Sequence, residues 1–383
     1  MTFAWHLACP ACRATATPEG LPTVCACGSP WLVRYAAAPP VARRASVSDG
    51  PPSLWRYRDW LPLLPGETPI TLGEGMTPLV DVPRLAAQLG FARVWIKDEA
   101  QNPTGSFKSR GMSAAVTRAV AGGATAFAVP TAGNAGVALA AYGARAGIPV
   151  RVFAPSGTPA RLLEQMRVHG AQVEVVDGHI GDCGRVSRAW AAAHNALDVS
   201  TLREPYRIEG KKTMGLEIAE QLGWTALPDA ILYPTGGGTG LIGMWKAFDE
   251  LRAAGWLPAG ARTRLFSVQS TGCAPVVRAW EAGAEVTTPW QDPVTVASGL
   301  RVPGPVGGPL ILRGLKETGG GAIAVPDARL EAVQRRLAAS EGIDICPEGG
   351  AALAALEELR KNGTLAPDST ALVFNTGAGW LYR

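Results

Sequence analysis

Asn102-Pro103-Thr104-Gly105-Ser106-Phe107-Lys108-Ser109-Arg110-Gly111 sets a lysine where an apolar strand gives way to a helix. Ahead of it, Val94, Ile96 and their neighbours read as a short strand. Asn102-Pro103 and Gly105 break that strand, and Met112 to Ala121 reads as an alanine-rich helix. Lys108 therefore falls at a helix N-terminus. The positive end of the helix dipole and any nearby cation disfavour a protonated amine there, and partial burial acts in the same direction. A neutral lysine amine can form a Schiff base. By itself the segment reads more readily as a surface lysine after a turn, and it is the rest of the chain that decides for the covalent catalyst.

Three more turns follow, in the order that a phosphate-bearing aldehyde cofactor would require. Thr131-Ala132-Gly133-Asn134 joins the strand pattern Thr125 to Val129 to a helix over Ala135 to Arg145. Such a turn offers backbone N–H groups to an anion, and the Asn134 amide can bond a ring hydroxyl. Ile231-Leu232-Tyr233-Pro234 then runs into Thr235-Gly236-Gly237-Gly238-Thr239-Gly240, followed by a helix over Leu241 to Leu251. Without Cβ atoms, this loop lets backbone approach a phosphate closely at a helix end. It lacks the Gly-Lys-Ser/Thr of a Walker loop, and it is not a G-x-G-x-x-G turn with an acidic residue about 20 positions on, so a nucleotide-free phosphate fits better. Last, Val373-Phe374-Asn375-Thr376-Gly377-Ala378-Gly379 is a strand and turn that presents the Thr376 hydroxyl, a partner for a pyridine nitrogen.

Together these segments resemble the pyridoxal-phosphate enzymes of fold type II, and within them the threonine synthase family. The likeness is carried by Thr71-Leu72-Gly73-Glu74-Gly75-Met76-Thr77-Pro78-Leu79, Lys97-Asp98-Glu99, Asn102 to Gly111, Tyr142 to Gly147, Tyr206-Arg207-Ile208-Glu209-Gly210-Lys211-Lys212-Thr213 and Asn375-Thr376-Gly377. It implies that Lys108 holds pyridoxal 5'-phosphate as a Schiff base and that Asn134 bonds the 3'-oxygen. Gly236, Gly237, Gly238, Thr239 and Gly240 would cradle the phosphate, and Thr376 would face the ring nitrogen. A neutral hydroxyl there makes a milder electron sink than a carboxylate would, suited to elimination and replacement. Thr131, Ala132 and Gly133 would receive the substrate carboxylate. Arg207 would bind a leaving phosphate, assisted by Lys211 or Lys212.

The reaction so implied converts O-phospho-L-homoserine and water to L-threonine and phosphate, with Lys108 as proton shuttle. Several positions depart from the family pattern. Ser109 stands where an aspartate is usual, Ala135-Gly136 replaces hydroxyl residues, and Glu204 brings negative charge near the expected phosphate site. The glycine loop is closer to that of serine/threonine dehydratases or cysteine synthases. The second reading is therefore a β-elimination or β-replacement enzyme acting on another substituted amino acid, dehydratase-like or cysteate synthase-like. A dinucleotide-binding oxidoreductase would leave Lys108 and Thr376 without a role. A non-catalytic homologue would have no use for the cofactor lysine.

Near the N-terminus, Cys9-Pro10-Ala11-Cys12 is followed after twelve residues by Cys25-Ala26-Cys27. Two close thiol pairs suit tetrahedral zinc, and Cys9, Cys12, Cys25 and Cys27 leave no open position for chemistry, which makes such a site structural. Similar ribbons open many threonine synthases. His6 reads as a lone surface histidine. Met1 to Leu7 lack a basic region followed by a long apolar core, so a reducing cytoplasm is expected and clustered thiols read as metal ligands. Cys183, Cys273 and Cys346 read as ordinary thiols. The net charge of +4 over 383 residues, spread without basic runs, argues against nucleic-acid binding, and no apolar run reaches the ~18 residues of a membrane span.

The expected organisation is a zinc-ribbon-like module over residues 1–38, a linker and arm over 39–75, and a catalytic region over 76–383. The linker includes the Pro/Ala/Ser-rich stretch Pro39 to Pro52. Within the catalytic region Val94–Ile96, Ala126–Val129, Val150–Phe153, Val173–Val176, Ile231–Tyr233, Leu265–Val268 and Leu372–Phe374 are the expected strands of an open, mostly parallel α/β fold. The family likeness implies two lobes, the smaller over about 110–190, and a homodimer acting on a small amino-acid substrate. Gly299 to Gly308 reads as an irregular loop lining the active-site mouth or a subunit contact.

Overall fold

A computed structural model describes residues 4–383; Met1 to Phe3, part of the Met1–Leu7 leader reading, lie outside it. The chain begins with β1 (Trp5–Ala8), β2 (Thr15–Ala16) and β3 (Leu32–Tyr35), an antiparallel sheet in the order β2-β1-β3. Two 3-10 segments follow, Val41–Asp49 and Leu54–Trp60, the first within the Pro/Ala/Ser-rich stretch. Next come β4 (Leu79–Asp81), α1 (Pro83–Leu89), β5 (Arg93–Asp98), α2 (Lys108–Ala121), β6 (Phe127–Pro130) and α3 (Asn134–Ala146). Then follow β7 (Val150–Pro155), α4 (Ala160–Val168), β8 (Gln172–Val176), α5 (Ile180–Ala193), β9 (Leu197–Asp198) and α6 (Tyr206–Gln221). The remainder alternates β10 (Ala230–Pro234), α7 (Thr239–Ala253), β11 (Arg264–Ser270), α8 (Pro275–Glu281) and α9 (Gly308–Thr318). It closes with β12 (Gly321–Val325), α10 (Asp327–Glu341), α11 (Pro347–Lys361) and β13 (Thr370–Asn375).

The chain divides into two units. The first comprises the chain up to Met76 together with Lys108–Met214. It holds the N-terminal sheet and a parallel sheet in the order β8-β7-β6-β9. The second comprises Thr77–Phe107 and Gly215–Arg383. Its sheet runs β12-β11-β10-β13-β5-β4, parallel except for the edge strand β4. Strands covered on both faces lose the alternation of a half-exposed sheet, and every residue of β10 is buried. Beneath β10, β11 and β13 lie Ala351, Ala352, Ala355 and Leu356 of α11, and the three alanines let the helix approach closely.

All seven expected strands are present. Sequence reading passed over β4 and β9, which have too few residues to show a period, and β12, whose Gly-Ala-Ile-Ala-Val run follows two glycines. It also began α2 at Met112, whereas the helix starts at Lys108 and includes Gly111 in its first turn.

One buried charge anchors the second unit. Lys97, wholly inaccessible in β5, donates to the Thr77 carbonyl (2.7 Å), Glu217 Oε1 (2.5 Å) and Gln221 Oε1 (2.9 Å), so all three of its protons have acceptors. Glu217, also wholly buried, accepts from the Thr77 hydroxyl as well. Among the described residues, no helix is long and apolar enough to cross a membrane.

Candidate active site and cysteine centre

In the first unit Lys108 is the first residue of α2, and its neighbourhood is set by how α2 meets α6. A Cβ on Gly210 would stand 2.0 Å from the Arg110 carbonyl oxygen, and one on Gly111 would stand 3.0 Å from Lys211 Cε. The two helices touch through glycines, which brings Lys211 and Arg207 up to the Lys108 turn. Burial, then the charges of Arg207 and Lys108, hold the Lys211 amine well below its usual range. Arg207 is buried too. Its Nη1 donates to the Val199 carbonyl at 2.8 Å, while its Nε, sealed from solvent, has no hydrogen-bond partner. Lys212 points elsewhere, to Glu209 (2.8 Å) and the Trp60 carbonyl (2.6 Å), and is no part of this cluster.

Glu204 does not act as an isolated negative charge. Its carboxylate accepts from the N–H groups of Tyr206 (2.8 Å) and Arg207 (3.1 and 3.2 Å), and so caps α6, with Pro205 directly before the first helical residue. Burial nevertheless raises its pKa to about 7, against the opposing pull of Arg207. A carboxyl whose pKa is higher folded than unfolded favours the fold most below its unfolded value of 4.5, and that contribution is lost as pH rises through about 7. Glu204→Gln, which does not titrate, is therefore expected to gain on the parent protein by about 3 kcal/mol between pH 4.5 and pH 8. Urea unfolding of both proteins across that range checks it, and a constant difference would show that Glu204 stays ionised.

Thr131 and Asn134 open α3. The Thr131 hydroxyl accepts from the Gly133 N–H at 3.0 Å and, at 3.3 Å, from that of Gly136. The missing hydroxyl at Gly136 has a packing cause: a Cβ there would lie 2.5 Å from the Thr131 methyl and 2.9 Å from Met166. Ser109 is buried and hydrogen-bonds Tyr142, whose hydroxyl also donates to the wholly buried Glu74. Burial and that carboxylate push the Tyr142 pKa up. Glu74 accepts further from Trp55 Nε1 at 3.0 Å and the Leu72 N–H at 2.9 Å, so it ties the Thr71–Gly75 turn to α3.

In the second unit the glycine loop and Thr376 follow neighbouring parallel strands in the middle of the sheet, β10 and β13, at their C-terminal ends. Gly238 has φ +76°, a conformation that L side chains rarely adopt, and no side chain caps α7. At Gly236 a Cβ would lie 2.2 Å from the Gly299 carbonyl, so the Gly299–Gly308 loop rests on the glycine loop. Gly299 is held in turn by its N–H donating to Glu348 Oε1 at 2.7 Å. Thr376 is buried, with Oγ1 3.5 Å from Cys346 Sγ. Asn375 donates to Asp98 (2.7 Å) and accepts from the Cys346 N–H (3.1 Å), fixing the end of β13.

Cys346, read from sequence as an ordinary thiol, thus stands next to Thr376, at the cap of α11, and burial and Glu348 raise its pKa. The Cys-Pro-Glu-Gly order signals a helix start, but only the fold brings it beside Thr376. Cys183 and Cys273 are buried, and burial pushes the Cys183 thiol up to about 11.

The four N-terminal cysteines converge. Their sulfurs all lie within 4.8 Å of one another, with Cys9–Cys27 and Cys12–Cys25 at 3.5 Å. Sulfurs at about 2.3 Å from a tetrahedral zinc would be about 3.8 Å apart, so this donor set fits that ion. His6 is exposed on β1, outside the cluster.

The second unit thus holds an uncapped helix end behind glycines with a hydroxyl at the neighbouring strand end, and the first unit holds an asparagine opening α3 and a lysine opening α2; each is a kind of donor that pyridoxal phosphate can use. A sequence model of the family described as "Pyridoxal-phosphate dependent enzyme" matches residues 70–377. The chain belongs to that family. It is 37% identical to the threonine synthase of Methanosarcina acetivorans over 85% of this chain and 79% of that protein. It is 33% identical to the threonine synthase of Methanocaldococcus jannaschii over 85% and 80%. Its fold is also that of maize serine racemase, with a TM-score of 0.69 and 22% identity over 79% of this chain and 88% of that one. The enzyme thus stands in the threonine-synthase-like part of the pyridoxal-phosphate enzymes.

Proposed function

We propose that the enzyme converts O-phospho-L-homoserine and water into L-threonine and phosphate, a carbon–oxygen lyase reaction with loss of phosphate from Cγ and addition of water at Cβ. The observation that carries this reading is the pair of buried cations, Arg207 and Lys211, beside Lys108, with one guanidinium N–H unsatisfied. Burial, with the repulsion between the two basic groups, depresses Lys211 despite the nearby Glu204, and an arriving phosphate dianion favours the charged form of Lys211. Threonine synthases are the sequence relatives reported above, which supports the same substrate.

Bound pyridoxal phosphate supplies an electron sink for a carbanion at the substrate's Cα. Lys108 would hold the cofactor covalently and then carry protons at Cα and Cβ. Arg207 and Lys211 would bind the substrate phosphate and stabilise its departure. Thr131, Ala132 and Gly133 would orient the substrate carboxylate and Asn134 the cofactor's 3'-oxygen. Gly236 to Gly240 would hold the cofactor phosphate at the α7 N-terminus, and Thr376 would meet the ring nitrogen.

The test is a phosphate-release assay on cofactor-loaded enzyme with O-phospho-L-homoserine, with the amino-acid product analysed in the same reaction. Threonine and phosphate are expected in equal amounts. Phosphate with a keto acid, or turnover only of β-substituted amino acids, would replace this reading with the dehydratase-like or cysteate synthase-like one.

We further assign a structural zinc to Cys9, Cys12, Cys25 and Cys27. About one zinc per chain is expected in the purified protein, and its chelation should lower the thermal midpoint; protein without zinc and with undiminished stability would refute the assignment. The family likeness supports a homodimer, and the cluster of free thiols supports a cytoplasmic location.

A further inference from the structure

Helix α6 carries two functional faces. At about 100° per residue, Arg207 and Lys211 share one side, while Tyr206, Glu209 and Lys212 centre on the opposite side. The first side meets the Lys108 turn, and the second meets the N-terminal ribbon. Tyr35, last residue of β3, donates its hydroxyl to the wholly buried Glu209 at 2.6 Å. Its ring lies under the Lys212 ammonium, 4.2 Å from the centroid, and Lys212 is ion-paired to the same Glu209. Trp5 of β1 is the cross-strand partner of Tyr35. Its ring stacks on the Arg118 guanidinium (5.2 Å), which also lies over Tyr206 of α6 (5.9 Å). Arg118 is itself pinned by both oxygens of Glu67 at 2.6 Å.

The four cysteines lie beyond the opposite end of β1, the nearest in sequence, Cys9, four residues from Trp5. One cross-strand aromatic pair therefore meets α6 at two points a turn apart, Tyr206 and Glu209. A helix is rigid in cross-section, so rotating it at Glu209 moves Arg207 and Lys211 as well.

We propose that the ribbon is a positioning module for the anion site: Tyr35, with Trp5 beside it, fixes the rotation of α6 and so the placement of Arg207 and Lys211. Tyr35 is a positioning residue, because it acts through Glu209 and α6. The proposal rests on the reading of Arg207 and Lys211 as phosphate ligands.

The experiment measures binding of inorganic phosphate to the full-length, cofactor-loaded enzyme by titration calorimetry, for the parent protein, Tyr35→Phe and Arg207→Gln. Phenylalanine keeps the ring under Lys212 and removes only the donor to Glu209. Loss of one hydrogen bond to a charged group is expected to weaken phosphate binding about tenfold in Tyr35→Phe. KM for the phosphorylated substrate should rise in step while kcat stays within about twofold. If Arg207→Gln weakens binding and Tyr35→Phe does not, even with a lowered thermal midpoint, the ribbon merely stabilises the fold and the proposal falls alone. If the parent protein binds no phosphate, or Arg207→Gln binds it unchanged, the phosphate reading of α6 falls and takes the proposal with it. Should Tyr35→Phe not fold, Trp5→Phe decides by the same measure: weakened phosphate binding supports the proposal, and unchanged binding overturns it.

Discussion

Replacing Lys108 with alanine is expected to abolish the covalent attachment of the cofactor and to lower turnover at least ~10³-fold. Two roles are lost at once. The amine that anchors pyridoxal phosphate is gone, and so is the base that would carry protons at the substrate's Cα and Cβ. Fold should survive, because the Lys108 side chain is only half-buried at the start of α2, where alanine is a good helix former. Removing it also relieves Lys211 of one repelling charge, so the Lys211 pKa should rise toward its ordinary range. The measurements are the visible absorbance that survives desalting and the rate of phosphate release. Retention of either within tenfold of the parent would exclude Lys108 as the cofactor lysine.

The largest effect on stability is expected at Glu217. Glu217→Ala leaves Lys97 fully buried with its closest counter-charge removed, and breaking such a pair costs about 3–5 kcal/mol. The Thr77 carbonyl and Gln221 still accept from Lys97, but neither carries charge. The double variant Lys97→Met/Glu217→Leu removes both charges and should recover most of the loss, because two apolar side chains need no partner. Urea unfolding of the two variants reads the difference. A loss below about 1 kcal/mol in Glu217→Ala would mean that the pair does little to hold β5.

The two positions illustrate different kinds of legibility. Lys108 is placed at a strand-to-helix turn by local signals, and its role is read from the other turns along the chain. Lys97 reads from sequence only as part of the Lys97-Asp98-Glu99 segment that follows a strand, and its partner lies in a helix more than a hundred residues away. Glu204 sits between these cases. Its sign was plain, but a glutamate followed by proline at a helix start caps that helix, and the carboxylate is drawn onto the backbone N–H groups.

What the sequence determined by itself is the set of strand–turn–helix units and the chemistry at their turns. Hydrophobic periodicity and glycine or proline punctuation act over a few residues, so β5, β6, β7, β8, β10, β11 and β13, the lysine, the glycine loop, Thr376 and the four cysteines could all be found along the chain. Tertiary structure alone decided which side chains face each other. Gly111 and Gly210 admit α6 to the Lys108 turn, Cys346 comes to Thr376, and Tyr35 reaches Glu209. These are contacts between residues far apart in sequence, fixed by close packing and by the need to satisfy buried polar groups. No local pattern encodes them, because each depends on the shape of a partner element that the segment itself does not contain.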